Sequence, residues 1–195
     1  MNEIKLMIFD LDGTIIDSAD ANYNAYHDAL KEIGIDLTRE FFNINCFNGQ
    51  HYKQFLPMLI PDGKEEIIEK VHNRKQEIYK NNLKNINTHP YILEIINNNK
   101  GIKKLALATT AGKIAVENVL KNINMENIFD LIITGDDVIK RKPNPEVFLK
   151  CINYFNVLPK ESVIFEDSDT GIEAAKYTGA WVIKIEKWAI QKVGG

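Results

Sequence analysis

Carboxylates, hydroxyls and one ammonium recur where short apolar segments of this chain stop. Asp10 and Asp12 follow the run from Ile4 to Phe9, and Thr109 and Thr110 follow Lys104 to Ala108. Glu166 and Asp167 follow Val163 to Phe165, and Lys142 lies in the segment after Asp130 to Ile133. Carboxylates crowded at one edge repel one another unless a cation sits among them. Oxygen-only ligands select a hard ion, which points to Mg²⁺. A metal, a lysine and a threonine hydroxyl together suit a phosphoryl group. The chemistry these residue types fit is phosphoryl transfer.

Such a site needs elements that bring the segment ends together. Short apolar strands alternating with amphipathic helices are the pattern of a parallel α/β sheet. Ile4–Phe9, Lys104–Ala108, Asp130–Ile133, Val163–Phe165 and Trp181–Ile185 read as its strands. Residues 112–122, 144–156 and 169–178 have helical spacing, and Gly179 follows the last as a C-terminal cap. Ligands of open parallel sheets bind at the carboxyl ends of the strands, where the strand order reverses. Residues 17–86 are of another kind, with no convincing strand. Residues 19–33 and 64–83 read as amphipathic helices, the second with Ile67, Val71, Ile78 and Leu83 on an approximate stripe. Pro57 and Pro61-Asp62-Gly63 punctuate the stretch before it. The expected organisation is a Rossmann-like α/β core of residues 1–16 and 87–195, with an all-helical lid of residues 17–86 inserted after the first strand.

Composition narrows the function classes. The 195 residues are 45% hydrophobic and 26% charged, enough apolar material for a sizeable core. Net charge is −3, and the chain has three arginines, Arg39, Arg74 and Arg141, which argues against nucleic acid as a partner. No apolar run reaches the roughly 18 residues of a membrane span. The N-terminal residues lack the cationic start and apolar stretch of a secretion signal. Cys46 and Cys151 belong to no metal or redox pattern and are read as reduced, which suits a cytoplasmic protein.

The segment Asp10-Leu11-Asp12-Gly13-Thr14 resembles the first motif of the haloacid dehalogenase (HAD) superfamily. Leu107-Ala108-Thr109-Thr110 resembles the second, Lys142-Pro143-Asn144-Pro145-Glu146 the third, and Val163 to Ala175, containing Glu166-Asp167, the fourth. All four occur in order, and the helical insert matches the C1 cap of the β-phosphoglucomutase-like and phosphoglycolate-phosphatase-like branch. The resemblance implies roles. Asp10 would be the nucleophile and Asp12 the general acid and base. Mg²⁺ would be held by the Asp10 carboxylate, the Asp12 backbone carbonyl and Asp167, with Glu166 behind it. Thr109, Thr110 and Lys142 would bind the phosphoryl oxygens.

Each residue also has a plainer reading. Asp12-Gly13 could be a turn, Glu166-Asp167 or Thr109-Thr110 a helix start, and Lys142 a solvated loop lysine. That four strand exits should coincide in this way by chance is the weaker account. Asp17 and Ser18 read as helix caps, His27 and His72 as residues satisfied locally, His89 before Pro90 as a loop entering the core, and Lys113 as a surface lysine. Trp181 and Trp188 read as packing residues. Asn48, Gln50 and His51 fall where family members carry the substrate-specificity loop of the cap. Asp12 argues against dehalogenation. Asn22, Asn48 and Tyr52 stand where the resemblance places a histidine, a lysine and an arginine in β-phosphoglucomutases, which favours hydrolysis over a mutase. The expected function is an Mg²⁺-dependent phosphatase acting on a small sugar, polyol or similar phosphate ester. A phosphomutase and a non-catalytic phosphometabolite-binding relative are the alternatives. The sequence leaves the oligomeric state open and is compatible with a monomer.

Overall fold

The computed structural model describes residues 3–46, 51–60 and 64–186. The first strand, β1 (Leu6–Phe9), is followed by the two-residue β2 (Ile16–Asp17). Four helices come next: α1 (Ala19–Lys31), α2 (Arg39–Asn45), α3 (Tyr52–Leu59) and α4 (Glu65–Asn82). The chain returns through β3 (Asn87–Thr88), α5 (Pro90–Asn99), β4 (Lys104–Ala108), α6 (Lys113–Asn122) and β5 (Leu131–Ile133). It ends with α7 (Glu146–Tyr154), β6 (Ser162–Glu166), α8 (Asp169–Lys176) and β7 (Trp181–Lys184).

Five parallel strands pair in the order β5-β4-β1-β6-β7. Strand β1 lies at the centre because Leu6–Phe9 has no polar side chain to solvate on either face. Alternation along the strands divides the core. Phe9, Leu105, Leu107 and Phe165 face α5 and α6, whereas Leu6, Ile8, Ala106 and Ile164 face α7 and α8. The Phe9 and Phe165 rings stack at 4.5 Å. The sequence placed these strands to within two residues at either end, and Gly179, at φ +78°, follows α8 as expected.

The helical segment has a core of its own, built from Tyr26, Leu30, Phe42, Phe55, Leu56 and Val71 among others. Ala21, Ala25 and Ala29 recur every four residues on the buried side of α1, and α1 packs along α4. Three features differ from the sequence reading. Helix α5 follows directly on His89, read as a loop entering the core, in a stretch given no element, with Pro90 at its first position, where the missing N–H costs nothing. Helices α2 and α3 lie in the stretch left without elements, α2 opened by the Thr38 hydroxyl accepting from the Phe41 amide at 3.1 Å. Strands β2 and β3 pair antiparallel at the foot of the helical segment, and pairs of two residues have no period to read.

Candidate active site

The strand ladder delivers the polar residues. The Asp10 amide donates to the Phe165 carbonyl at 3.0 Å and the Thr109 amide to the Ile133 carbonyl at 3.0 Å, so both residues sit at strand exits in fixed backbone positions. Lys142 arrives from the loop after β5. Its Nζ lies 2.5 Å from Asp10 Oδ1 and 2.7 Å from Glu166 Oε2, and all three side chains are buried. Asp10, Glu166 and Asp167 present carboxylate oxygens within 4.8 Å of one another. Gly13 turns the chain beside them at φ +86°, and a Cβ there would stand 2.0 Å from Asp167 Oδ2.

The electrostatics follow from this crowding. Burial, reinforced by the Glu166 carboxylate, raises the Asp10 pKa well above the usual range. The same two causes push Asp167 up to about 7. Burial would also raise Glu166, but the Lys142 ammonium overcomes it and leaves that carboxyl below its ordinary value. Lys142 is held charged by Asp10 and Glu166 against its own desolvation. Glu166 is saturated: Oε1 accepts from the Asp167 and Ser168 amides and the Ser168 hydroxyl, while Oε2 accepts from Lys142. Three carboxylates against one ammonium leave excess negative charge in a buried cleft. A divalent cation would relieve that excess, and the all-oxygen donor set fits Mg²⁺.

Asp12 is set apart from this cluster. Ser18 donates its hydroxyl to Asp12 Oδ1, the Asn22 amide donates to Ser18 Oγ at 3.1 Å, and Lys75 Nζ donates to Asn22 Oδ1 at 2.6 Å. Burial raises the Asp12 pKa, with the Ser18 hydrogen bond opposing it, and burial lowers Lys75 to about 8. Ser18 does occupy the cap position of α1, but its side chain serves Asp12 and makes no helix-capping bond, while Asp17 Oδ1 accepts from the Ala19 amide at 3.2 Å. Lys75 went unread in the sequence. The available signal was its place on the buried stripe of α4, one heptad after Ile68 and four residues before Tyr79.

The remaining predicted residues line a cleft of about 770 Å³ between the sheet edge and the helical segment. Thr109 and Thr110 border it, and Thr109 Oγ1 accepts from the Ala111 amide at 3.1 Å, leaving its hydroxyl proton to donate. The start of α6 follows directly, where the Lys113 amide donates to Asp136 Oδ2 at 2.8 Å. His51 lines the cleft while capping α3, its Nδ1 accepting from the Lys53 amide at 3.3 Å. Asn48, Gln50 and Trp188 lie outside the described residues. His72 has the local partners expected of it, Tyr26 and Gln76, and also lines the cleft, with its ring stacked 3.6 Å from Tyr52. Burial, then Lys75, lowers its pKa to about 4. His27 lies beside Asp28 and Asp36, and Lys113 is outside the cleft lining.

A buried carboxylate, a second one two residues on, an anchored lysine and an acidic pair at one edge of a Rossmann-like sheet define a class of phosphoryl-transfer hydrolases. The chain belongs to the haloacid dehalogenase-like hydrolase family, whose sequence pattern it matches over residues 7–185. It is 31% identical over 182 residues to a phosphorylated carbohydrates phosphatase of Thermotoga maritima, covering 90% of this chain and 82% of that one. A phosphoglycolate phosphatase of Aquifex aeolicus is similar to the same extent, 31% over 182 residues with the same coverage. Among solved structures, a CbbY variant from Rhodobacter sphaeroides in complex with xylulose-1,5-bisphosphate superposes with a TM-score of 0.85. It is 26% identical, and the match covers 95% of this chain and 87% of that one. Among the described residues, no helix is long and apolar enough to cross a membrane.

Proposed function

We propose that this hydrolase is an Mg²⁺-dependent cytoplasmic phosphatase that cleaves a small phosphate monoester, such as a sugar or polyol phosphate, through an aspartyl-phosphate on Asp10. The observation that carries the reading is the pairing of two buried carboxylates with opposite surroundings. Asp10 sits among Lys142, Asp167 and Glu166, whereas Asp12 faces Ser18 and the helical segment. Burial raises both carboxyls, Asp10 the more strongly, and it is the cation argued for above that would return Asp10 to its ionised form and leave the acid role to Asp12.

Asp10, Asp167 and the Asp12 backbone carbonyl would hold Mg²⁺. Bound there, the ion would supply positive charge to the phosphoryl oxygens and favour the ionised form of Asp10. An Asp10 oxygen attacks phosphorus as the bond from phosphorus to the leaving oxygen breaks. Asp12, whose pKa burial raises against the opposing Ser18 hydrogen bond, gives its proton to that oxygen. Water then attacks the aspartyl-phosphate, Asp12 takes its proton, and the bond from phosphorus to Asp10 breaks to free phosphate. Lys142, the Thr109 hydroxyl and the amides before α6 steady the phosphoryl oxygens. Thr110 contributes from the same loop. The helical segment roofs the cleft and limits water and substrate size, and a cleft of this size suits a metabolite. His51 and the loop carrying Asn48 and Gln50 would meet the leaving group. The named activities of the relatives support the reading, as does the sugar bisphosphate bound by CbbY.

The test is phosphate release from a panel of sugar, polyol, nucleotide and short-acid phosphates, with and without Mg²⁺, beside Asp10→Asn. Metal-dependent release that is lost in the variant is the expected result. Release that persists in Asp10→Asn, with deamidation excluded, removes the nucleophile. Transfer between positions of one sugar without free phosphate would make the protein a mutase. Binding without turnover would make it a non-catalytic relative.

A further inference from the structure

The three arginines of the chain are used differently. Arg39 pairs with Asp20 at 2.9 Å, and Arg74 pairs with Glu32 at 2.8 Å and Glu77 at 2.9 Å. Arg141 has no ion-pair partner among the described residues, although it is half-buried and lines the catalytic cleft. Its position is fixed from one side only. Nη1 donates to the Thr110 carbonyl at 2.7 Å, and the same nitrogen lies over Gly135, where a Cβ would stand 2.9 Å away. A guanidinium has five donors in a planar fork, so one bond to a carbonyl leaves a bidentate edge unused.

The other cations of the cleft are committed elsewhere. Lys142 is bound by Asp10 and Glu166, Lys75 by Asn22, and Lys80 is exposed on α4. The facing wall of the helical segment offers Tyr52, Glu69, His72 and Gln76, and no cation among these. The Glu69 carboxylate already accepts from Tyr52 at 2.9 Å and pairs with Lys53 at 2.9 Å, so it does not claim Arg141. The Arg141 charge does reach across the cleft: after burial, it is the next cause that lowers the His51 pKa.

We infer that Arg141 is a specificity-determining residue that binds a second anionic group, a carboxylate or a second phosphate, on the leaving group of the substrate. The inference rests on the phosphoryl site proposed above and narrows its substrates to esters bearing another charge. Arg141 and Lys142 are neighbours in sequence but divide the work. Lys142 serves the transferring phosphoryl at Asp10, and Arg141, held at the Thr110 carbonyl, turns its unused edge to the leaving group. A planar fork held at one nitrogen suits either anion. The absence of the lysine and arginine that the resemblance places in the mutase cap at Asn48 and Tyr52 is then balanced by a cation supplied from the core.

The experiment compares matched esters on wild type, Arg141→Gln and Arg141→Lys. 2-Phosphoglycolate is set against ethyl phosphate, and propane-1,3-diol bisphosphate against 3-hydroxypropyl phosphate. Calorimetric binding of phosphonoacetate and propylphosphonate accompanies the kinetics. The expected result is a wild-type preference in kcat/KM and Kd for the charged member of at least one pair. In Arg141→Gln that preference falls at least tenfold, and Arg141→Lys restores part of it. The pair affected identifies the anion as carboxylate or phosphate. Equal losses on both members would reduce Arg141 to a brace of the Thr110 loop and overturn the inference, as would a wild type without preference. If no ester is hydrolysed but the phosphonate preference depends on Arg141, the phosphatase reading fails and the inference stands. If neither phosphonate binds, both fail.

Discussion

The two walls of the cleft are built by different means. On the sheet side, Asp10 and Thr109 are fixed by the backbone ladders that end at them, and the charges are buried against one another, as at Lys142, Asp10 and Glu166. On the helical side, polar groups sit on helix faces and are held by ring stacking and by half-exposed pairs such as Lys53 with Glu69. The sheet wall therefore has one low-energy arrangement, and the chemistry depends on it. The helical wall carries its side chains on helix faces, and under the reading proposed above it shares the choice of substrate with Arg141 of the core. One chain of hydrogen bonds joining them runs from Lys75 through Asn22 and Ser18 to Asp12.

Substitutions can break this contrast in order of effect. Asp12→Asn should lower kcat by about 10²–10⁴-fold while phosphate still binds, measured by turnover and by calorimetry. Lys142→Met should cost roughly 3–5 kcal/mol of stability in metal-free protein, because it strands two buried carboxylates, and urea unfolding checks it. Lys75→Met should lower kcat on the order of tenfold through Asn22 and Ser18, with no loss of unfolding stability, since an apolar side chain replaces a desolvated ammonium. Equal kcat in that variant would disconnect the walls. Arg74→Ala, on the outer face of the helical segment, should change stability by less than about 1 kcal/mol and leave turnover alone.

The helical wall should also respond to pH. His72 faces Tyr52, Tyr26 and Gln76, with Lys75, Glu69 and His51 nearby, and its pKa is about 4 against an unfolded value near 6.5. Between those values the unfolded chain binds the extra proton, so stability should rise with pH from about 4 to about 6.5 and level off above. In His72→Gln the slope over that window should shrink, as followed by thermal unfolding across a pH series.

The contrast also explains what could be read in advance. Strand exits were legible because an apolar run ending in Asp10, Thr109 or Glu166 states both the element and its chemistry locally. Helix α5 was missed because His89-Pro90 was read as a break, although proline suits a first turn. Ser18 was read as a cap because the local pattern allows it; only the fold brings Asp12 within reach. Spacing places Lys75 on the apolar stripe of α4 but does not state that this stripe meets the cleft, and no spacing states on which side of the Thr110 loop Arg141 lies. Where each wall faces is a tertiary fact.

One small feature bears on the history of the molecule as well as its form. The ladder of Ile16 with Thr88 and Asp17 with Asn87 brings the entry and the exit of the helical segment side by side. Paired strands lie about 4.8 Å apart, so a tight turn could bridge the gap. The chain thus enters and leaves the whole segment at a single point, as a cutting is joined to a stem. A different set of helices could be spliced between the same two residues without disturbing a strand of the five. New substrates could then be acquired by exchange of one contiguous stretch of gene, while Asp10 and Lys142 stay where they are.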